Sequence, residues 1–370
     1  MARVVNGSRA FAAPNRYIQG RNEIENLREY TSLYGKRVYL ILDCFFWESF
    51  KPKFEQMYQG SGSDLLMERF EGQITEEKIA ASSASARTFG PEVVVGMGGG
   101  KAMDTAKAVA NDLRLPVIIV PTTASTDAPA SSLSVIYTAE GAHNGTRHYH
   151  KNPDLLILDT EILAKAPIRF LVAGMGDALA TYVEGRANVA SDSGNYIGRG
   201  YRRTLTGMAV AKACQETILA KGYQAKMAAQ AGLCTSDVED VIEANTLMSG
   251  LGFQNTGCAG AHALNAGFSN LSREECGAML HGEFVAFGTL VQLMVEQRSD
   301  ELERFMKFFR QVGLPTTLED LGIDRNRHDV LWKVAEISMK SYWVVEPFFL
   351  DAQTVFSAIL ATDQLGRSLR

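Results

Sequence analysis

The sequence predicts two domains of different class: an α/β N-terminal domain built on a mostly parallel, Rossmann-like sheet, and an all-α C-terminal domain. Short β-rich runs alternate with helix-forming segments up to Asp159, and a glycine cluster separates one such run from the next helix. Beyond Asp159 strand-like runs nearly vanish, and long segments rich in Ala, Leu, Met and Glu take over. We therefore assign residues 1–162 and 163–370 to the two domains, in keeping with about 150 residues per domain.

The N-terminal elements alternate as in βαβ units, in which helices cover a parallel sheet and ligands bind at the carboxyl ends of its strands. Between two further β-rich runs, the dipeptide Asn144–Gly145 predicts a hairpin turn, because both residues tolerate positive φ. The predicted strands cover residues 37–42, 65–70, 93–96, 115–120 and 155–158, the helices residues 23–34, 75–89 and 101–113, and the hairpin arms residues 133–138 and 147–150.

The C-terminal domain carries apolar residues at the 3.6-residue spacing of amphipathic helices. We find no strand pattern in this half, which is why the domain is predicted to be all helical. Its helices are predicted over residues 178–189, 201–220, 238–248, 283–298, 301–312, 329–342 and 352–365.

Composition and charge disfavour several classes of partner. A net charge of −5 and a pI near 5.8 leave no basic surface for nucleic acid or an anionic membrane. We also expect no signal peptide or membrane helix, because no apolar run is long enough. The five cysteines are scattered and form no CxxC pair, which is typical of reduced thiols, so we expect a cytoplasmic protein.

The most distinctive stretch is Gly96–Ala108, GMGGGKAMDTAKA, between a predicted strand and a helix. Glycines let the backbone approach a ligand closely, and the free N–H groups and dipole of the following helix favour an anion. The spacing is not that of a Walker loop, which would need glycine at Val95 and Ser or Thr at Ala102, nor that of GxGxxG. A nucleotide-binding loop and a tight structural turn both remain open.

Three side chains of the C-terminal domain have the chemistry of a metal site. Asp177 follows two glycines where the sequence indicates a helix start, and His262 and His281 stand in small-residue or helix-start contexts. One carboxylate and two imidazoles suit Zn²⁺ with an open position for water or substrate. The separations along the chain are long, so an N-cap aspartate and ordinary core or helix-cap histidines are the alternatives.

Five motifs spread over the chain resemble, in combination, those of the zinc-dependent glycerol dehydrogenases. This family lies within the superfamily of iron-containing alcohol dehydrogenases and dehydroquinate synthases, so the resemblance implies a dehydroquinate synthase-like fold. It runs from Asn15 to Arg367 and covers nearly the whole chain. The motifs are GMGGGKAMDTAKA, PTTASTDAPASSLSVIYT at Pro121–Thr138, KNPDLLILDT at Lys151–Thr160, GMGDALAT at Gly174–Thr181 and HGEFVAFGTLVQL at His281–Leu293.

The resemblance implies an NAD site in the N-terminal domain. Asp43, at a strand end, would bind the adenosine ribose hydroxyls, although a turn residue is the alternative. It precedes the glycines, opposite to the usual dinucleotide order, and its charge disfavours the 2′-phosphate of NADP. The other implied cofactor residues are Gly98, Gly99, Gly100, Lys101 and Asp104 at the pyrophosphate, and Thr122, Ser125, Ser131, Leu133 and Tyr137 along the NAD site.

The resemblance also implies a Zn²⁺ site formed by Asp177, His262 and His281. Iron-dependent relatives use a fourth ligand, a histidine one helical turn after the aspartate, where this chain has Thr181. Zinc is therefore expected rather than iron. Asp127 would complete the catalytic set near the substrate hydroxyls, with an Asx-turn as the alternative interpretation of this residue.

The implied function is NAD-dependent, zinc-dependent and reversible oxidation of a vicinal diol or polyol, with glycerol to dihydroxyacetone as the default. The alternatives are a reductase of another small hydroxyketone or 2-oxo acid, and a catalytically inactive NAD-binding paralogue. The resemblance further implies a homo-oligomer, such as an octamer, acting on a small molecule.

Two departures from the family bear on the substrate. Asn265 replaces a histidine of the family pattern, and Gln254 stands where an acid is common. In addition, the stretch from Met227 to Ser272 contains no Lys or Arg, which disfavours a phosphorylated or carboxylated substrate.

Overall fold

The computed structural model describes residues 7–369, and these separate into two compact units. The sheet unit contains residues 13–124 and 128–166. The helical unit contains the described residues up to 12, the short segment 125–127 and residues 167–369. The predicted domain boundary at 162/163 lies within a short helix, whereas the last passage of the chain between the units is at 166/167.

The sheet unit is a six-stranded parallel sheet with a separate two-stranded hairpin, so the predicted α/β class is confirmed. Its elements are β1 (Tyr17–Gly20), a 3₁₀ turn (Glu23–Asn26), α1 (Leu27–Ser32), β2 (Arg37–Asp43), α2 (Cys44–Tyr58), β3 (Asp64–Phe70), α3 (Glu76–Phe89), β4 (Val93–Gly98), α4 (Gly100–Leu113), β5 (Val117–Pro121), β6 (Leu133–Tyr137), β7 (His143–His148), β8 (Leu155–Asp159) and α5 (Thr160–Lys165). The parallel strands lie in the order β1-β8-β5-β4-β2-β3.

Both faces of the central strands are buried, which explains their continuous apolar sequences. Val38, Leu40 and Leu42 of β2 pack into one apolar cluster, while the intervening Tyr39 and Ile41 are equally buried on the opposite face. This pattern is typical of parallel sheets covered by helices on both sides. Since β2 and β4 are neighbours, their carboxyl ends lie side by side.

Helix α2, which begins directly after β2, was not predicted from the sequence. Aromatic residues recur every four positions along one face of the helix, at Phe46, Phe50, Phe54 and Tyr58. All four side chains pack on the core of the sheet unit. Asp43 caps the helix by accepting a hydrogen bond from the N–H of Phe45 at 3.0 Å. An acidic N-cap followed by this spacing was the available signal.

The predicted position of the hairpin turn is wrong. Asn144–Gly145 lies inside β7, and the chain reverses earlier, where the N–H of Thr138 donates to the carbonyl of Ala142 at 2.8 Å. The strand before the turn is anchored from outside the hairpin, because the N–H of Tyr137 donates to the carbonyl of Ile74 at 2.9 Å. This tertiary contact sets the register and overrides the local preference of Asn-Gly.

The helical unit contains helices and no named strand among its described residues, as predicted. None of the helices within residues 7–369 combines the length and apolar character needed to cross a bilayer. The elements are α6 (Ile168–Ala190), α7 (Leu205–Gln230), α8 (Ser236–Glu243), a π-helical turn (Ala244–Met248), α9 (Ser249–Thr256), α10 (Gly260–Phe268), α11 (His281–Val295), α12 (Ser299–Val312), a 3₁₀ turn (Glu319–Leu321), α13 (His328–Ser338), a second 3₁₀ turn (Tyr342–Val345) and α14 (Ala352–Ser368).

One helix start differs from the prediction in a way that matters for the site. Helix α6 begins at Ile168, so Asp177 lies in its interior and is not an N-cap. The two preceding glycines, Gly174 and Gly176, continue the helix and do not interrupt it. Gly176 instead allows close packing between helices, because a Cβ there would lie 2.5 Å from the carbonyl oxygen of Gly282 in α11.

Candidate active site

The glycine loop joins the end of β4 to the start of α4. A Cβ on Gly98 would lie 2.7 Å from Cβ of Asp43 and 2.8 Å from Cβ of Ala102, so only glycine fits there. At Gly99 and Gly100, by contrast, a Cβ would meet no described atom within 4 Å. The loop thus presents open space at a helix N-terminus without a side-chain cap, which suits an anionic group.

Asp43 lies beside this loop because β2 and β4 are adjacent. Its Oδ1 caps α2, while Oδ2 lies 3.4 Å from the position that a Cβ on Gly98 would take. The side chain is half-buried, so it combines a capping role with a carboxylate oxygen directed towards the glycine loop. The arrangement fits a dinucleotide: its ribose hydroxyls would contact the acid at the end of β2, and its phosphates would contact the glycine loop at the end of β4.

Asp104 does not share this arrangement, although the resemblance places it at the pyrophosphate. Its carboxylate is buried, accepts a hydrogen bond from the N–H of Val135 at 2.9 Å and pairs with the ammonium of Lys107 at 2.7 Å. These bonds connect β6 to α4 and leave the carboxylate buried and already paired. We therefore leave Asp104 out of the cofactor site proposed below.

The other predicted cofactor residues differ in how exposed they are to solvent. Thr122 and Ser131 are buried, and the hydroxyl of Ser131 donates to a neighbouring carbonyl. Lys101 is exposed, with its ammonium 5.8 Å from the ring centroid of the half-buried Tyr137. Leu133 is half-buried in the sheet unit, whereas Ser125, also half-buried, belongs to the helical unit.

Asp177, His262 and His281 come together in the helical unit. They lie on α6, α10 and the first position of α11, and one ligand atom from each lies within 4.8 Å of the others. The Nε2 atoms of His262 and His281 are 3.5 and 3.3 Å from Oδ1 of Asp177. The carboxylate is fully buried, and the two imidazoles are partly exposed.

Electrostatics make Asp177 a strong donor to a cation. Burial by itself raises the pKa of this carboxyl, but the His281 and His262 rings overcome that effect and hold the pKa well below its usual range. Oδ1 is buried and accepts no well-aligned hydrogen bond from the described residues. An ionised oxygen without such a partner, facing two imidazole nitrogens, fits a divalent metal of borderline softness.

Close helix packing at glycines produces this convergence. A Cβ on Gly176 of α6 would lie 2.5 Å from the carbonyl oxygen of Gly282 in α11, and one on Gly282 would overlap the carbonyl of Ala173. Gly288, further along α11, similarly faces the carbonyl oxygen of Ala261 in α10 at 2.6 Å. The glycines therefore set the spacing of the three helices that carry the ligands.

Comparisons with known proteins relate this arrangement to alcohol dehydrogenases. Residues 14–160 match the sequence profile of the iron-containing alcohol dehydrogenases. A glycerol dehydrogenase of Thermotoga maritima is 42% identical over 96% of this chain and 96% of its own length. The chain belongs to the iron-containing alcohol dehydrogenase family.

Two further relatives cover nearly the full length of this family member. A glycolaldehyde reductase of Halobacterium salinarum is 37% identical over 97% of this chain and 98% of its own. The crystal structure of a probable glycerol dehydrogenase from Sinorhizobium meliloti is 41% identical and covers 98% of this chain and 100% of its own, with a TM-score of 0.91. Family membership implies a nicotinamide cofactor and a divalent metal ion, and the glycine loop and the Asp177 cluster fit these groups.

Two further residues lie close to the group formed by Asp177, His262 and His281 in this alcohol dehydrogenase. The N–H of Asp127 donates to Oδ2 of Asp177 at 3.1 Å, so Asp127 lies directly beside the cluster. Thr181, one helical turn after Asp177 on α6, is buried and shares a hydrogen bond of 3.1 Å with Ser249. Among the described residues, the donor atoms that come together around Oδ1 of Asp177 are those of His262 and His281.

Sequence reasoning missed Glu184, which is fully buried and lies 2.7 Å from Nδ1 of His262. The available signal was its spacing: Glu184 follows Asp177 by seven residues, or two helical turns, and so shares its face of α6. A buried acid on a helix needs a partner, and the partner of Glu184 is His262, one of the three candidate metal ligands.

The two family departures lie in different surroundings. Asn265 is half-buried on α10, one turn after His262, and its Oδ1 accepts a hydrogen bond from the hydroxyl of Ser269 at 3.2 Å. Gln254 is buried in α9. Only Asn265 therefore has partial access from outside.

Proposed function

We propose that this alcohol dehydrogenase catalyses the NAD-dependent, reversible oxidation of a vicinal diol or small polyol, with glycerol to dihydroxyacetone as the principal reaction. Zn²⁺ would be held by Asp177, His262 and His281. The observation that carries the proposal is the buried Oδ1 of Asp177, which faces two imidazole nitrogens. Similarity to glycerol dehydrogenases over nearly the full length supports the substrate class.

Zinc is proposed over iron because of the ligand count. Thr181 lies where a fourth ligand would be needed, and its hydroxyl is already bonded to Ser249. One carboxylate and two imidazoles, with a position left for a substrate oxygen, are typical of catalytic zinc.

The chemistry divides between the two units. When bound, Zn²⁺ supplies a Lewis acid that makes a substrate hydroxyl more acidic, and NAD accepts the hydride released from the adjacent carbon. In the sheet unit, Asp43 would accept hydrogen bonds from the ribose hydroxyls, and the N–H groups of Gly98–Lys101 would bind the pyrophosphate. In the helical unit, Asp127 would accept a hydrogen bond from a second substrate hydroxyl, which favours diols over simple alcohols.

A second candidate is the reduction of a small hydroxyaldehyde, which the similarity to a glycolaldehyde reductase favours. It needs the same metal cluster and the same cofactor, used in the opposite direction. Reduction of a 2-oxo acid has less support because a carboxylate needs a cation. The stretch from Met227 to Ser272, which includes His262, contains no Lys or Arg.

The test is an activity panel on metal-free, zinc-loaded and iron(II)-loaded enzyme. NADH formation is followed with glycerol, 1,2-propanediol and lactate, and NADH consumption with dihydroxyacetone and glycolaldehyde. We expect activity with the polyols only after zinc is restored. Full activity after complete metal removal would contradict the zinc mechanism, and a preference for lactate would contradict the polyol assignment.

A pair of histidine variants tests the ligand assignment. His281→Ala should abolish turnover and zinc binding while leaving the fluorescence titration with NADH unchanged, because the two proposed sites lie in different units. His328→Ala is the matched control, since His328 also occupies the first position of an α-helix but contacts Phe356. Equal loss in both variants would argue against a specific role for His281.

We extend the proposal to a cytoplasmic homo-oligomer. Light scattering on the purified protein tests the assembly, with an octamer expected at eight times the chain mass of 40.4 kDa. A particle of single-chain mass at micromolar concentration would rule out this part of the proposal.

A further inference from the structure

Glu184 makes three hydrogen bonds around one of the proposed zinc ligands. Its Oε1 accepts hydrogen bonds from the backbone N–H groups of Ala259 at 2.7 Å and of His262 at 2.9 Å. Its Oε2 lies 2.7 Å from Nδ1 of the His262 ring, while Nε2 of the same ring faces Asp177. Glu184 is fully buried, so water does not compete for these bonds.

The protonation of the ring follows from this pattern. Backbone N–H groups can only donate, which makes Oε1 an acceptor, and an ionised carboxylate accepts at its second oxygen as well. The partner of Oε2 must then be a donor, so Nδ1 of His262 carries the ring proton. In the neutral ring, Nε2 is left with its lone pair directed towards Oδ1 of Asp177.

We propose that Glu184 is a positioning residue that fixes the tautomer and the orientation of His262 for metal binding. This inference rests on the proposed function, because it takes the metal to lie at Asp177, His262 and His281. A carboxylate behind a metal-bound imidazole raises the basicity of the ligand and restricts ring rotation. Helix α6 would thus supply one ligand directly and orient a second from two turns further along.

Cys258 offers a competing interpretation, because ligand atoms of Glu184, Cys258 and His262 also lie within 4.8 Å of one another. A second metal between them would need free ligand atoms. Both oxygens of Glu184 are already engaged, and the 2.7 Å separation of Oε2 and Nδ1 is a hydrogen-bond length. The geometry therefore favours a hydrogen-bonded support for His262 over a second metal site.

The variant Glu184→Gln separates positioning from packing because it preserves size and shape. A carboxamide has one acceptor oxygen and one donor nitrogen, whereas Glu184 faces donors on both sides. If the amide nitrogen faces Nδ1, the ring must move its proton to Nε2 and can no longer bind a metal there. If the amide is reversed, its nitrogen opposes the N–H groups of Ala259 and His262.

The control variant is Asn188→Ala, one turn further along α6. The side chain of Asn188 donates to the carbonyl of Cys258 at 3.0 Å, so it holds the same loop without touching the His262 ring. It shares the burial of Glu184 and lies outside the metal cluster. A purely structural role of Glu184 would give both variants the same behaviour.

The readouts are the zinc dissociation constant from chelator competition, the visible spectrum of the Co²⁺-substituted protein, and the melting temperature of the metal-free protein. We expect Glu184→Gln to weaken zinc binding by about 10- to 100-fold and to alter the Co²⁺ spectrum. Asn188→Ala should lower the melting temperature but keep zinc affinity within about threefold of wild type, a much smaller change than that expected for Glu184→Gln. Unchanged zinc affinity and an unchanged Co²⁺ spectrum in Glu184→Gln would overturn the inference.

Two further measurements keep the inference testable. If His281→Ala binds zinc as tightly as wild type, the proposed metal site is wrong. If His281→Ala loses zinc but Glu184→Gln binds it normally, only the positioning role of Glu184 is refuted. If Glu184→Gln does not fold, proton NMR of zinc-loaded wild-type protein carrying ¹⁵N-histidine decides. A low-field imidazole Nδ1–H assigned to His262 supports the inference, and an Nε2–H tautomer overturns it.

Discussion

A side chain at Gly282 is predicted to disrupt the metal cluster from outside it. Gly282 follows His281 at the start of α11, and a Cβ there would lie 2.7 Å from the carbonyl carbon of Ala173 in α6 and closer still to its oxygen. Ordinary contacts begin near 3.4 Å. Because the obstacle is backbone that cannot rotate aside, Gly282→Ala should push the start of α11 away from α6 by at least about 0.7 Å.

The size of the effect follows from the geometry of the cluster. His281 Nε2 lies 3.3 Å from Oδ1 of Asp177, and metal–ligand distances tolerate only about 0.2 Å of error. Gly282→Ala should therefore weaken zinc binding by about tenfold or more. Overpacking should also lower the free energy of unfolding by about 1–3 kcal/mol, which corresponds to roughly 2–4 °C in melting temperature for each kcal/mol.

The assay combines chelator competition for zinc, thermal unfolding, and fluorescence titration with NADH. Gly100→Ala is the matched control, because a Cβ at that position meets no described atom within 4 Å. It should keep zinc affinity and stability but weaken NADH binding by filling the space proposed for the pyrophosphate. Normal zinc affinity and melting temperature in Gly282→Ala would refute the reasoning from helix packing.

Two further predictions concern carboxylates elsewhere in the chain. Asp43→Ser keeps a cap for α2 but removes the charge, so the preference for NAD over NADP should fall by about tenfold in cofactor titrations; an unchanged preference would remove Asp43 from the ribose site. Burial, reinforced by Glu296 and Glu184, raises the pKa of Glu346 to about 8 from an ordinary value of 4.5. The folded protein then holds a proton that the unfolded chain has lost, so stability falls as pH rises between these values. Glu346→Gln should raise the melting temperature near pH 8 and leave it nearly unchanged near pH 4, and an equal shift at both would count against this carboxyl as the cause.

Local sequence signals identified much of the sheet unit. Each predicted parallel strand exists, because a fully buried strand needs a continuous apolar run that is visible without the structure. The glycine cluster and Asp43 were recognised for the same kind of reason, since close backbone approach and strand-end position both leave marks in the sequence. By contrast, Asn144–Gly145 misled the hairpin prediction, because a contact between Tyr137 and Ile74 sets the register.

In the helical unit, the sequence by itself singled out Asp177, His262 and His281 as side chains with the chemistry of a metal site, and the family resemblance implied the same three. Only the tertiary structure decided how they meet. The glycines before Asp177 suggested a helix start, yet Gly176 lies within α6 and packs against Gly282 of α11. The sequence does not distinguish a glycine needed for backbone conformation from one needed for close contact between helices. The neighbouring helix that packs against the glycine makes the difference.

The same limit applied to the buried carboxylates. Asp104 stood in the glycine motif and was assigned to the cofactor, but it is buried against Lys107. Glu184 lies in a helix that was predicted from the sequence, but its contact with His262 was not. The sequence shows that a carboxylate is present. Its role depends on the hydrogen-bond donors around it, and many of these belong to residues far away along the chain.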